Sequence, residues 1–86
     1  MLPESTAILP ARAVETLDLL ILAAPSESHE LAAALKLRGL LLVELKRYHD
    51  ARRDFEKYLA LEPQASDREE VQKQIGAIHR WLARVN

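Results

Sequence analysis

Between Gly39 and Pro63 the chain reads GLLLVELKRYHDARRDFEKYLALEP, and the offsets inside this run dictate how two short helices pair. Gly39 lets a second helix approach the first closely, and Ala51 offers the small surface opposite. Phe55, one turn further on, fills the wedge between them, and Pro63 stops the second helix because it can neither donate an amide nor fit beside the preceding turn. The run therefore predicts an antiparallel helix hairpin built to hold a surface in place, and it carries no reactive group of its own.

Composition sets the limits around that hairpin. With 86 residues and no cysteine, the chain has one small core and must be held by apolar packing without disulfides or thiolate metal sites. Hydrophobic residues at 49% and charged residues at 29% are the balance of a folded soluble protein and exclude a disordered tail. A net charge of -1 gives no reason to expect a polyanion or an acidic membrane as the main partner. The charge is unevenly spread: residues 1–31 hold one basic side chain, Arg12, against five acidic ones, and the remainder holds eleven basic against eight acidic. The longest uncharged run, Leu19 to Ser26, is too short to cross a bilayer, and MLPEST places no basic residue ahead of an apolar segment, so no export signal is expected. A cytoplasmic setting is the expectation, compatible with the absence of cysteine.

Along the chain, residues 1–10 contain Pro3, Ser5, Thr6 and Pro10 without a sustained period and read as a flexible lead-in, with Pro10 in the first turn of a helix. Val14, Leu17, Leu20 and Ile21 then recur at helical spacing until Pro25. Ser26 or Ser28 caps a second helix in which Leu31, Leu35, Leu42 and Leu45 form one stripe, while Leu37, Leu40, Leu41 and Val43 make it apolar on more than one side, as a helix with neighbours on both flanks requires. A short break at Lys46-Arg47 leads to a third helix, Tyr48 to Leu61. Ser66, followed by Glu69, predicts a capping box opening a last helix, whose apolar face runs through Val71, Ile75, Ile78 and Leu82. Gly76 interrupts that helix, and close approach of a neighbour is the expected reason. Aligned on Pro25 and Pro63, Ala13 falls opposite Ala51, Leu17 opposite Phe55 and Leu20 opposite Tyr58, so one unit is used twice.

Gly39, Leu42, Ala51, Phe55 and Pro63 stand at the offsets of the tetratricopeptide repeat, and the chain resembles that family. The resemblance implies an all-α fold of antiparallel helix hairpins: a partial repeat over 11–25, a complete repeat over 32–65 and a capping helix over 66–85, within one domain spanning 11–86. The spacing of Pro25 and Pro63 is about four residues longer than the 34-residue period, and the extra turn is placed at Ser26 to His29. Three positions depart from the family pattern: Leu35 stands where Trp is frequent, Arg38 where Leu is usual and Tyr58 where a small residue is usual. More narrowly, Arg38-Gly39-Leu40, the Ala51 to Leu59 helix with Asp54, and the closing helix resemble the carboxyl-terminal tetratricopeptide region of bacterial SirB-type proteins, which carry a transglutaminase-like domain.

Arg38 has a reading that needs no ligand. In a hairpin turning near residues 46 and 47, position 38 lies opposite position 54, so Arg38 is expected to pair with Asp54, partly buried. Chemical sites are not in view elsewhere. His29-Glu30 begins like a zinc-protease helix, but position 33 is Ala where the second His is needed, and His49 and His79 have no sequence-local ligand partners. No metal or cofactor is expected. The serines fall in capping and loop positions, and two glycines cannot assemble a phosphate-cradling loop, so no enzyme activity is expected. Glu69 and Glu70 suit a helix start. Lys46, Arg47, Arg52, Arg53 and Lys57 cluster near the hairpin turn, but Asp50, Asp54 and Glu56 interrupt them, and four aromatics make no base-stacking platform, which disfavours nucleic acid.

Recognition of a protein or peptide is the remaining class. In tetratricopeptide arrays the first helix of each repeat lines a concave surface, and the resemblance implies that Ala33, Lys36, Leu40, Val43 and Glu44 face it. Leu40 and Val43 would then form an exposed apolar strip for a peptide, a helix or a second copy of the chain, with Lys36 and Glu44 selecting charge. The first helix or the lead-in would cover that strip if it is purely structural. The alternatives are a structural tail of a larger transglutaminase-like regulatory protein, and a weak nucleic-acid-binding helical domain.

Overall fold

The computed structural model describes the backbone of residues 3–85 and the side chains of residues 9–84. Four helices follow one another: α1 (Pro3–Ala23), α2 (His29–Glu44), α3 (Tyr48–Leu61) and α4 (Arg68–Val85). Each packs on the next, with α2 between α1 and α3 and α4 laid on α3. The principal extents of 41 × 32 × 21 Å match two helix layers in the thin direction, since one helix with its side chains is about 10–12 Å across.

The expected flanking of α2 on both sides accounts for its leucines. Leu31, Leu35 and Leu42 are buried together with Ala32 and Ala34. The α2–α3 pair closes on Ala51 and Phe55, both fully buried. Val14 and Leu17 bring α1 to this core, and Val71 and Ile78 bring α4, with Ile75 and Leu82 half-buried beside them.

Caps and turns explain the boundaries. Of the two serines proposed for α2, it is Ser28 whose hydroxyl accepts the Leu31 amide at 3.0 Å. Ser26 and Glu27 form the turn ahead of α2, which starts at His29. At its other end the Arg47 amide donates to the Leu42 carbonyl at 2.8 Å and the Lys46 amide to the Val43 carbonyl at 2.9 Å. This double closure turns the chain with Lys46 in the left-handed region, φ 62°, a place more often held by glycine.

Three local expectations are corrected. The lead-in of residues 1–10 is not irregular over 3–10: Pro3 takes the first turn, where a missing amide costs nothing, and Pro10 sits inside α1 at the loss of one backbone bond. Residues 1 and 2 lie outside the described residues. α4 begins at Arg68, so Asp67 and not Ser66 precedes it, and the Val71 amide donates to the Asp67 carbonyl at 3.0 Å. Among the described residues Gly76 receives no neighbouring helix: a Cβ there would meet the Arg80 guanidinium, at 3.6 Å, on the same helix.

Candidate functional site

The expected ion pair is present and larger than the hairpin alone implied. Arg38 Nε donates to Asp54 Oδ2 at 2.7 Å and Nη2 donates to Oδ1 at 2.8 Å, a two-pronged contact between α2 and α3. Asp54 is 5% exposed, the one charged side chain in the core among the described residues. Arg38 Nη1 also donates to Asp18 Oδ1 on α1 at 2.8 Å, so a single guanidinium ties three helices. Asp54 first, with Asp18 adding, holds the guanidinium well above its ordinary pKa against the opposing effect of burial. This cluster is structural: three hydrogen bonds from one side chain hold α1, α2 and α3 together.

A second network was not foreseen. Asp67, at the start of α4, receives Lys36 Nζ from α2 and the Tyr58 hydroxyl from α3, the latter at 2.6 Å. Lys36, and after it Tyr58, holds the Asp67 carboxyl below its ordinary range. The same hydrogen bond, with burial, pushes the Tyr58 hydroxyl up to about 12. Tyr58, bulky where the family usually has a small residue, is therefore the side chain that anchors the last helix. An aspartate placed immediately before a helix and directly after a Pro-Gln-Ala-Ser loop is the available sequence signal; the partners reaching it from α2 and α3 have none.

Beside this network runs a groove of about 470 Å³ along the side of α2 that the family likeness makes concave. Ala33, Lys36 and Leu40 line it, together with Leu37 and Tyr58. Its far wall is His29 and Glu62, which bond to each other across the α2–α3 ends. Glu62 raises the pKa of the exposed His29 above the usual imidazole value. Leu37 and Leu40 remain 50% and 39% exposed, so the groove keeps an apolar floor in water.

The five proposed partner-binding residues thus separate. Ala33, Lys36 and Leu40 come together in the groove. Val43 does not extend the strip, because it is half-buried and packed against the core that includes Val71 and Ile78. Glu44 is exposed at the end of α2 and stands outside the groove lining. Among the described residues, none from α1 lines the groove. Lys36 is committed to Asp67 and lies 5.8 Å from the Tyr58 ring centre, which leaves it a wall more than a free charge.

At the hairpin turn, Asp50 accepts from Arg47 at 2.8 Å and lies 4.0 Å from Arg53, so the basic cluster is partly paired within itself. Among the described residues no three His, Asp or Glu side chains converge in the way a metal ion needs. None of the helices is long and apolar enough to cross a membrane, among the described residues.

A family model described as tetratricopeptide repeat matches residues 9–76. This chain belongs to the tetratricopeptide repeat family. The match takes in α1 from Leu9, the whole α2–α3 hairpin and the first half of α4. No curated protein and no solved structure gives a significant match. Repeats of this family serve protein–protein interaction in general.

Proposed function

We propose that the chain is a non-catalytic interaction module that docks a peptide or an amphipathic helix of another protein in the groove along α2. The observation that carries this reading is the pair Leu37 and Leu40, half-exposed on a rigid helix beside Ala33. Alanine at position 33 leaves room for a partner side chain, and the leucines supply the apolar contact. Lys36 and His29 on one side and Glu62 on the other line the rim with both signs, so charge selects orientation more than affinity.

Peptides selected from a random library against the intact chain test this. Calorimetry at several temperatures is expected to show a negative heat-capacity change for a selected binder, the mark of apolar burial. Leu40→Asp should weaken such binding by about tenfold or more, equivalent to at least 1.4 kcal/mol. Binding that survives Leu40→Asp unchanged would place the recognition surface elsewhere.

Arg38-Gly39-Leu40 and the Asp54 helix support a narrower reading within the family, as the carboxyl-terminal region of a SirB-type protein. In that case a transglutaminase-like domain would be the protein that occupies the groove, and such a domain added in trans should compete with the selected peptides.

A further inference from the structure

The groove along Leu40 has a neighbour. Between α1 and α2 lies a second hollow, of about 600 Å³, and Ala33 and Leu37, one helical turn apart on α2, line both. The two hollows are therefore the two sides of one surface, with Ala33 and Leu37 as the ridge between them. Leu17, Leu20, Ala23 and Ala24 of α1 make the second hollow apolar, and Glu30 is the one charged residue in its lining. Leu20 stays 54% exposed there, so this side too keeps apolar surface in water.

Charge collects at one end of that surface. Ala24 and Glu30 line the same hollow and His29 bonds to Glu62, so α1 and α3 finish at the level where α2 begins. Glu30 and Glu62 stand at this end, with Glu27 in the turn ahead of α2. Neither α1 nor α3 has a basic residue in its last turn to answer the negative end of its dipole, and no lysine or arginine occurs from residue 13 to residue 35. Glu62, at the end of α3, adds a carboxylate where that dipole disfavours one. Of the cations on the surface, Lys36 is engaged by Asp67 and His29 by Glu62, and no ion pair reaches Glu30 among the described residues.

We infer that the segment of another protein taken by this surface carries two apolar anchors, one for each side of the Ala33–Leu37 ridge, and lysine or arginine on one flank, laid over the end that holds Glu30 and Glu62. The inference rests on the reading of the α2 groove as a docking site and names the chemistry of what docks there. Two hollows on either side of one ridge call for two anchors. The basic flank follows from the carboxylates and the two unanswered helix ends, against which an acidic flank would meet like charge.

Peptides selected from a random library against the intact chain test this by their sequences and by their response to substitution. They should carry lysine or arginine on one side of their apolar residues, and exchanging those cations for glutamate should weaken binding by about fivefold or more at low ionic strength, with the difference shrinking as salt is added. On the chain, Glu30→Lys, at an exposed site, should weaken the basic-flanked peptide and strengthen its glutamate-flanked version. Leu20→Asp, at a half-exposed site, should keep the helix content and weaken both peptides by about tenfold or more. Binding that is lost with Leu40→Asp but ignores the flanking charge or Leu20→Asp overturns the inference and leaves the reading of the α2 groove standing. A chain that takes up no library peptide overturns both.

Discussion

Gly39 on α2 lies against the ring of Phe55 on α3, and a methyl group built on Gly39 would come within 2.7 Å of the ring's Cε1 atom. Because Phe55 is fully buried, the ring has nowhere to retreat. Gly39→Ala is therefore expected to destabilise the chain by about 1–3 kcal/mol, the usual cost of overpacking a core. Chemical denaturation measures it, and Gly39→Ala combined with Phe55→Leu should lose less than the two separate losses added together. Additive losses would mean that the two side chains do not meet.

Gly76 should behave in the opposite way. Its added Cβ meets only the end of a flexible arginine on the same helix, so Gly76→Ala is expected to stabilise by about 1 kcal/mol through helix propensity. A raised denaturation midpoint with unchanged slope would show this, and a lowered midpoint would reveal a neighbour at that position.

Lys46 holds a left-handed backbone, φ 62°, without the freedom that glycine has there. Lys46→Gly removes that cost and should stabilise the hairpin by about 1 kcal/mol. The two closing backbone bonds from Lys46 and Arg47 are unaffected by the change, so no loss is expected to offset it.

The Arg38 cluster should be strongly coupled. Arg38→Met strands Asp54, which is 5% exposed, and is expected to cost about 3 kcal/mol, the lower end of the range for a buried pair because the Arg38 side chain keeps some contact with water. Asp54→Leu alone should cost a similar amount, and the double variant should be more stable than either single one. Asp18→Asn should cost much less, since that carboxylate is half-exposed.

Two titrations bear on the anchoring of α4. Asp67 has a folded pKa below its unfolded value, so its contribution is present above the ordinary carboxylate pKa and is lost as pH falls through the lower folded value. Tyr58 is shifted the other way, to about 12, so its contribution is whole below the unfolded value of about 10 and is lost as pH rises toward the folded one. An ultraviolet titration should show a late tyrosine step that disappears in Tyr58→Phe, and in Asp67→Asn the step should move down.

How much of this was legible beforehand follows from sequence distance. Gly39, Ala51, Phe55 and the Arg38–Asp54 pair sit on two helices joined by a tight turn, so offsets along the chain translate directly into contacts. Asp18 and Asp67 reach Arg38, Lys36 and Tyr58 only through the relative rotation of helices from different hairpins, which periodicity does not encode. Pro10 and Gly76 misled for another reason: each breaks a local preference at a place where packing neither demands nor forbids it, and the helix absorbs a cost of a few kcal/mol at most. Val43 was placed on the correct helix, but the core packing that half-buries it lies beyond what spacing along one helix reveals.

Amide shift mapping on the uniformly labelled chain with a library-selected peptide tests the central claim most directly. The account predicts that the largest changes fall at Ala33, Lys36, Leu37 and Leu40, with Leu40→Asp abolishing them and the amides of Gly39's partner helix around Phe55 holding their folded positions throughout. Changes concentrated instead at the hairpin turn around Lys46 and Arg47, or spread evenly over all four helices, would contradict it.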